Sequence, residues 1–336
     1  MAASTGRTEI WHPVPRTLIG DTMPPTDLYV EIQSGFTLYF SPAFMSWADA
    51  LTRIEEKSIN VFWVRHSDLP AFQKHIAANL TLLAKDETIP PVERGRVLYH
   101  ACYQALSETF AHPDDVEAFL LAKVTSLATI ESVLDHPEIL PGIGLLLGHD
   151  YDTFSHSVQV ASLTVGLAQR LRAADREEML RIGLGAMFHD IGKARVPAAI
   201  LQKPRPLSAP EWRMVQRHPL WGDQLLNSFD SGGIAPEPVL QHHERYDGAG
   251  YPYGLRGEQI ALSARITKVA DVFNAVTSTR VYRDPMNALA ALSLMKREML
   301  GHFDPAILDH FIRMLGEVRE VPTFTGPVGP RVRGAA

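Results

Sequence analysis

β-rich apolar runs lie near the start of the chain, and elsewhere apolar residues recur at helical spacing. Leu28 to Ile32 and Phe36 to Phe40 are β-rich runs flanking Gln33-Ser34-Gly35, a pattern that predicts a hairpin. In SWADALTRIEEK, Trp47, Leu51 and Ile54 fall on one helical face. INVFWV, residues 59 to 64, predicts a short, fully apolar strand. Asp68 is placed to cap a helix whose Leu69, Phe72, Ile76, Leu80 and Leu83 form an apolar stripe. Residues 28–88 are therefore expected to form a small mixed α/β domain, read as regulatory. Residues 1–27, with Pro13, Pro15, Pro24 and Pro25, predict a flexible lead-in.

Residues 89–138 predict two helices that connect this unit to the rest. Val116, Phe119, Leu120, Val124, Leu127, Ile130 and Leu134 keep a helical period. That stripe fits a connector packed on its neighbours, or a pair of helices that dimerises or relays a signal. From 139 to 320 the pattern is helix after helix, without a convincing strand. Ser208 and Glu211 make a capping-box pattern. The tail, 321–336, is expected to be disordered. The fold class expected is α+β: a small mixed α/β unit followed by an all-α bundle.

Composition adds limits. The chain has 336 residues, which favours more than one domain. Its 46% hydrophobic and 21% charged fractions are those of an ordinary globular protein. A net charge of -6 argues against coating DNA or a membrane through bulk charge. The start of the sequence does not read as a signal peptide, and no run is apolar enough for a membrane span, so a cytoplasmic location is expected. Cys102 is the single cysteine, which excludes cysteine-rich zinc frameworks. Any bound metal must be held by histidine and carboxylate.

Histidine is where the sequence becomes specific. Of 14 histidines, six precede residue 140 and look scattered. His156, His189, His218, His242 and His243 sit instead in polar clusters of the helical half. Asp190 follows His189, and Glu244 follows the His242 and His243 pair. Asp271 lies inside the otherwise apolar helix ITKVADVF, where a carboxylate is costly unless paired or metal-bound. Histidines and carboxylates drawn from several helices are how bundles build di-metal sites.

Eight segments then occur in order: HSVQVA, HDIGKARVP, ILQKP, LSAPEW, HPLWG, HHERYDGAGYPYGL, ARITKVADVFNAVTSTRVYR and HFDP. Together they resemble the HD-GYP family, a branch of the HD metallophosphohydrolases, over about 145 to 315. The resemblance implies an all-helical domain with two or three divalent metal ions, iron or manganese first, with nickel, cobalt and zinc as alternatives. It also implies hydrolysis of cyclic di-GMP to linear pGpG, and on to GMP, by in-line attack of a metal-bridging hydroxide.

Carried over by position, the resemblance assigns His156, His189, Asp190 and Asp271 to one metal. It assigns His218, His242 and His243 to the second, with Asp190 bridging. It makes His189, Asp190 and Lys193 the catalytic set. Lys193, Tyr251, Arg280 and Arg283 become substrate contacts, the cations facing phosphate. Asp152 stands where three-metal members carry a glutamate. It is a candidate third-metal ligand and equally a candidate helix N-cap. Tyr251 can stack on a guanine or shape the glycine-rich DGAGYPYG loop. Asn274 stands where aspartate is common and is not expected to ligate.

Two other functions remain open on the sequence. One is hydrolysis of a different cyclic dinucleotide, since fold does not fix substrate. The other is a cyclic di-GMP sensing or protein-interaction module with weak or no turnover. GGDEF-type cyclases or other signalling proteins, met through the GYP loop or the N-terminal domain, and a second copy of the chain are the candidate protein partners.

Overall fold

The computed structural model describes residues 11–16, 19, 22–33, 35–57, 59, 61–87, 89–140, 143, 153–229, 232–278 and 286–316. The N-terminal unit is a four-stranded antiparallel sheet in the order β1-β4-β2-β3. Its strands are β1 (Trp11–Pro15), β2 (Leu28–Ile32), β3 (Gly35–Phe40) and β4 (Val61–Arg65). Two helices, α1 (Trp47–Lys57) and α2 (Leu69–Lys85), complete the unit. Alternation sorts the sheet's faces. Val14, Leu28, Phe40, Phe62 and Val64 are fully buried, in one core with Ala50 and Ile54 of α1 and Phe72, Ile76 and Leu80 of α2. The other face carries an aromatic cluster, in which Trp11 stacks on Phe36 at 4.4 Å and Phe36 meets Trp63 at 4.9 Å.

Two expectations are corrected here. The lead-in is not structureless, because Trp11–Pro15 pairs antiparallel with β4, Trp11 opposite Arg65 and Pro15 opposite Val61. The prolines misled the reading: proline lacks a donor N–H, but an edge strand tolerates it. Asp68 does begin α2, yet its side chain caps no backbone N–H; Ser67 donates to it instead, at 3.2 Å.

The connector helices are α3 (Pro91–Ala111) and α4 (Val116–Asp135). Asp115 caps α4, accepting from the N–H groups of Glu117 and Ala118 at 2.8 and 3.2 Å. The apolar stripe expected on α4 divides. Phe119, Ile130 and Leu134 are buried, whereas Val116, Leu120 and Val124 face solvent at about half exposure. Small residues, Ala122, Thr125, Ser126 and Thr129, take the buried face instead. They let neighbouring helices approach closely, a role that hydrophobic periodicity does not reveal.

The C-terminal half is helical among the described residues. It comprises α5 (Thr153–Leu171), α6 (Arg176–Met187), α7 (Ala198–Leu201), α8 (Ala209–Val215), α9 (His218–Ser228), α10 (Pro236–Gln241), α11 (Leu262–Thr277), α12 (Ala288–Arg297) and α13 (Pro305–Gly316). Ser208 and Glu211 form the expected capping box at α8. One hydrophobic core runs from Val14 through Phe119 to Val239, so the sheet unit, the connector and the metal-side helices share an interior. A second core joins α11 to α12 and α13 through Ile266, Phe273, Met295 and Phe311. No helix among the described residues is long and apolar enough to cross a membrane. The tail from 317 and Asp152 lie outside the described residues.

Candidate metal centre

Each candidate ligand sits where a helix begins, ends or passes through the interior. His156 is in the first turn of α5, and Asp271 is in the middle of α11. α6 ends at Met187, and the turn that follows delivers His189 and Asp190 before a 3-10 turn over Ile191–Arg195. His218 opens α9, whose Pro219 suits a first helical turn. His242 and His243 follow the short α10. Gly192 allows the convergence, because a Cβ there would lie 1.9 Å from the His218 carbonyl oxygen.

These residues meet as two groups. His156, His189 and Asp271 form one; Asp190, His218, His242 and His243 form the other. Within each group the ligating atoms lie within 4.8 Å of one another. In the first, His156 Nε2 is 3.1 Å from Asp271 Oδ1. Asp190 stands between the groups: Oδ2 is 3.5 Å from His189 Nε2, and Oδ1 is 3.2 Å from His218 Nε2 and 3.7 Å from His242 Nε2. All are buried except His243, which is half-buried.

Proton accounting shows what the arrangement requires. His189 Nδ1 donates to the Ala186 carbonyl at 2.8 Å, His218 Nδ1 to Val215 at 2.7 Å, and His242 Nδ1 to Pro238 at 2.8 Å. A neutral imidazole that donates from Nδ1 carries a lone pair on Nε2. The Nε2 atoms of His218 and His242 are only 3.2 Å apart. They converge with Asp190 Oδ1, which is buried without a hydrogen-bond donor. Three acceptors sharing one small space call for a cation, and nitrogen with oxygen donors suits a divalent transition metal. The residues present fit a binuclear centre.

Electrostatics point the same way. Burial pulls the His189 imidazole down to about 3, although Asp190 opposes it. Burial also lowers His218 and holds His243 well below the usual imidazole range. These rings are therefore neutral near pH 7, the form that ligates. Burial pushes the Asp190 carboxyl up, but the Lys193 ammonium outweighs it and holds it well below the usual carboxylate range. Burial pushes the Asp271 carboxyl up, yet the cluster holds it well below the usual carboxylate range. Carboxylate and imidazole thus both stand in their ligating states.

An open cleft of about 800 Å³ lies over the two groups. Lys193, Lys203, Arg205 and Lys268 line it. Lys193 is an ion-pair partner of Asp190 Oδ2, and Lys203 pairs with Glu211 at 2.5 Å. Burial lowers the Lys268 ammonium, with Asp271 opposing the shift. Tyr251 stacks on His243 with centroids 4.6 Å apart and planes 19° apart, and burial first of all keeps its phenol neutral. Trp212, half exposed, meets Tyr251 edge-on at 6.1 Å. Arg280 and Arg283 lie outside the described residues.

Sequence reasoning did not single out Lys203, Arg205, Trp212 or Lys268, all of which line the cleft. Lys268 is three residues before Asp271 on the same helix, so helical spacing could have placed it at the site. Arg205 and Trp212 reach the cleft through loop geometry and a short helix, which leave no periodic signal. Asn274, set aside as no ligand, has its Oδ1 2.6 Å from His156 Nδ1.

Residues 146–307 match the HD domain family. The chain is 42% identical over 186 residues to the cyclic di-GMP phosphodiesterase PA4108 of Pseudomonas aeruginosa, covering 55% of this chain and 44% of that protein. This region is an HD domain. The chain is also 38% identical over 162 residues to the cyclic di-GMP phosphodiesterase response regulator RpfG of Xanthomonas campestris, covering 48% and 43%. It is 36% identical over 182 residues to 3'3'-cGAMP-specific phosphodiesterase 1 of Vibrio cholerae, covering 52% and 42%. The chain thus spans less than half the length of these relatives. Among solved structures, Bd1817, a HDG"Y"P protein from Bdellovibrio bacteriovorus, superposes with a TM-score of 0.66 at 19% identity. That match covers 91% of this chain and 100% of the other, so the shared fold extends beyond the HD domain.

Proposed function

We propose that the chain is a metal-dependent phosphodiesterase that opens cyclic di-GMP to linear pGpG, with GMP as the product when both diesters are cut. The observation that carries this reading is the shared position of Asp190 between two buried His/Asp groups on the floor of a cation-lined cleft. Relatives at 42% and 38% identity are named for cyclic di-GMP, which favours it over 3'3'-cGAMP.

In this reading His156, His189 and Asp271 would hold one ion and His218, His242 and His243 the other, with Asp190 placed to serve both. Iron or manganese is the expected metal. Ions bound there supply a water of lowered pKa and neutralise charge on the phosphoryl oxygens. The chain's own groups do the rest. Lys193 keeps Asp190 ionised and offers its ammonium to a non-bridging phosphate oxygen as the diester enters. Arg205 and Lys268 add positive field to a protein whose net charge is -6. Arg280 and Arg283 are proposed phosphate contacts, and Asp152 a proposed third-metal ligand. Trp212 and Tyr251 offer an aromatic surface on which a guanine can stack. The sheet unit is proposed as regulatory, supported by its shared core with the metal-side helices.

Side-by-side hydrolysis of cyclic di-GMP, 3'3'-cGAMP and cyclic di-AMP by metal-loaded protein tests the substrate. Cyclic di-GMP is expected to be fastest. A faster rate on either other dinucleotide would reassign the substrate while leaving the diesterase chemistry intact.

A further inference from the structure

We infer that Asn274 and Gln159 form a buried amide relay that fixes the His156 ring in the tautomer a metal needs, so that Asn274 sets metal affinity in one half of the centre. The inference rests on reading the two His/Asp groups as a metal centre.

The three residues are sealed from water. Asn274 is fully buried, His156 is 2% exposed and Gln159 is 5% exposed. Asn274 Oδ1 lies 2.6 Å from His156 Nδ1. The Asn274 Nδ2 group donates to Gln159 Oε1, and Ser278 Oγ donates to Asn274 Oδ1 at 3.4 Å. With its NH2 committed to Gln159, the amide turns its oxygen to the imidazole. An amide oxygen only accepts, so the proton resides on His156 Nδ1. Nε2 then presents its lone pair beside Asp271 Oδ1, 3.1 Å away.

One helix therefore grips both edges of the ring. Asp271 and Asn274 are three residues apart on α11, and His156 sits between their side chains. His189, His218 and His242 are held differently, through backbone carbonyls of Ala186, Val215 and Pro238, which no side-chain substitution removes. His156 depends on a side chain for its orientation. Partners behind a ligating histidine typically change metal affinity by about 10- to 100-fold when removed. Asn274 is thus a positioning residue. An aspartate there would preserve the acceptor, because the Gln159 amide can rotate to donate to it.

The test is titration of metal-free full-length protein with Mn2+, and anaerobically with Fe2+, counting free ion by electron paramagnetic resonance for Mn2+ and by chelator competition for Fe2+. Wild type is expected to bind two ions. Asn274→Leu, alike in branching and side-chain heavy-atom count but without an acceptor, should weaken one of them about 10- to 100-fold and leave the other unchanged. Asn274→Asp should restore wild-type binding. The inference is overturned if Asn274→Leu binds both ions as wild type does, if both sites weaken equally, or if Asn274→Asp fails as the leucine does. Should Asn274→Leu not fold, Asn274→Asp decides: retained affinity supports the acceptor role and lost affinity refutes it. Wild type that binds neither metal overturns the metal-centre reading itself, an outcome distinct from all of these.

Discussion

Glu244 accepts a hydrogen bond from the backbone N–H of Tyr253 at 2.7 Å, and a second from that of Leu255 at 3.1 Å. The carboxylate, 1% exposed, follows the two adjacent histidines and ties the loop containing Gly250, Tyr251 and Pro252 back to them. Gly250 completes the fit, since a Cβ would lie 2.3 Å from the Arg245 nitrogen. Glu244→Ala should leave two backbone donors without their acceptor, at about 1–3 kcal/mol. Amide exchange at Tyr253 and Leu255 should accelerate roughly tenfold or more, while metal content stays at the wild-type level. Unchanged exchange at both amides would remove Glu244 from this role.

Gly192 is expected to be intolerant of any side chain. Besides the His218 carbonyl, a Cβ would meet the Gly222 nitrogen at 2.5 Å. Gly192→Ala must push α9 away from Asp190. The expected cost is about 1–3 kcal/mol from overpacking, with weakened binding at the His218, His242 and His243 group. Thermal unfolding and metal titration together check it. A variant with wild-type melting and two tightly bound ions would show that the contact relaxes freely.

Phe119 links the connector to the site. It is fully buried, stacks on Phe229 at 4.4 Å, and approaches Phe188, the neighbour of His189, at 5.4 Å. Phe119→Ala should lower stability by about 3–5 kcal/mol. Urea unfolding reads this directly. A change below ~1 kcal/mol would mean that α4 is not part of the same cooperative core.

His100 gives a pH dependence away from the metal centre. Burial lowers it from 6.5 to about 4, with Arg96 adding to the shift. The fold therefore excludes a proton that the unfolded chain binds. Its contribution is fully present above about pH 6.5 and is lost as pH falls toward about 4, at up to ~1.4 kcal/mol per unit. The stability difference between wild type and His100→Gln should shift by that slope across the acid window. Parallel curves for the two proteins would contradict it.

The candidate ligands are legible because their chemistry is local in sequence: HDIGK, HHE and an aspartate inside an apolar helix mark themselves. The family resemblance supplied their order, and the structure brought His156, His189 and Asp271 together with the others. What stayed hidden has physical reasons. Trp11–Pro15 reads as a loop because its prolines are tolerated only on an edge strand. Val116, Leu120 and Val124 read as core because periodicity cannot tell which face a neighbour covers. Asn274 read as neutral because its role is to hold a ligand, a relationship that spans 118 positions of sequence.

The most direct test of the central claim is hydrolysis of cyclic di-GMP by anaerobically purified protein, with linear product followed by chromatography. The account predicts pGpG from iron- or manganese-loaded wild type. It also predicts loss of product on chelation and in His189→Ala with Asp190→Ala. Absence of product from protein shown to carry two ions, or product that survives both chelation and the double substitution, would contradict it.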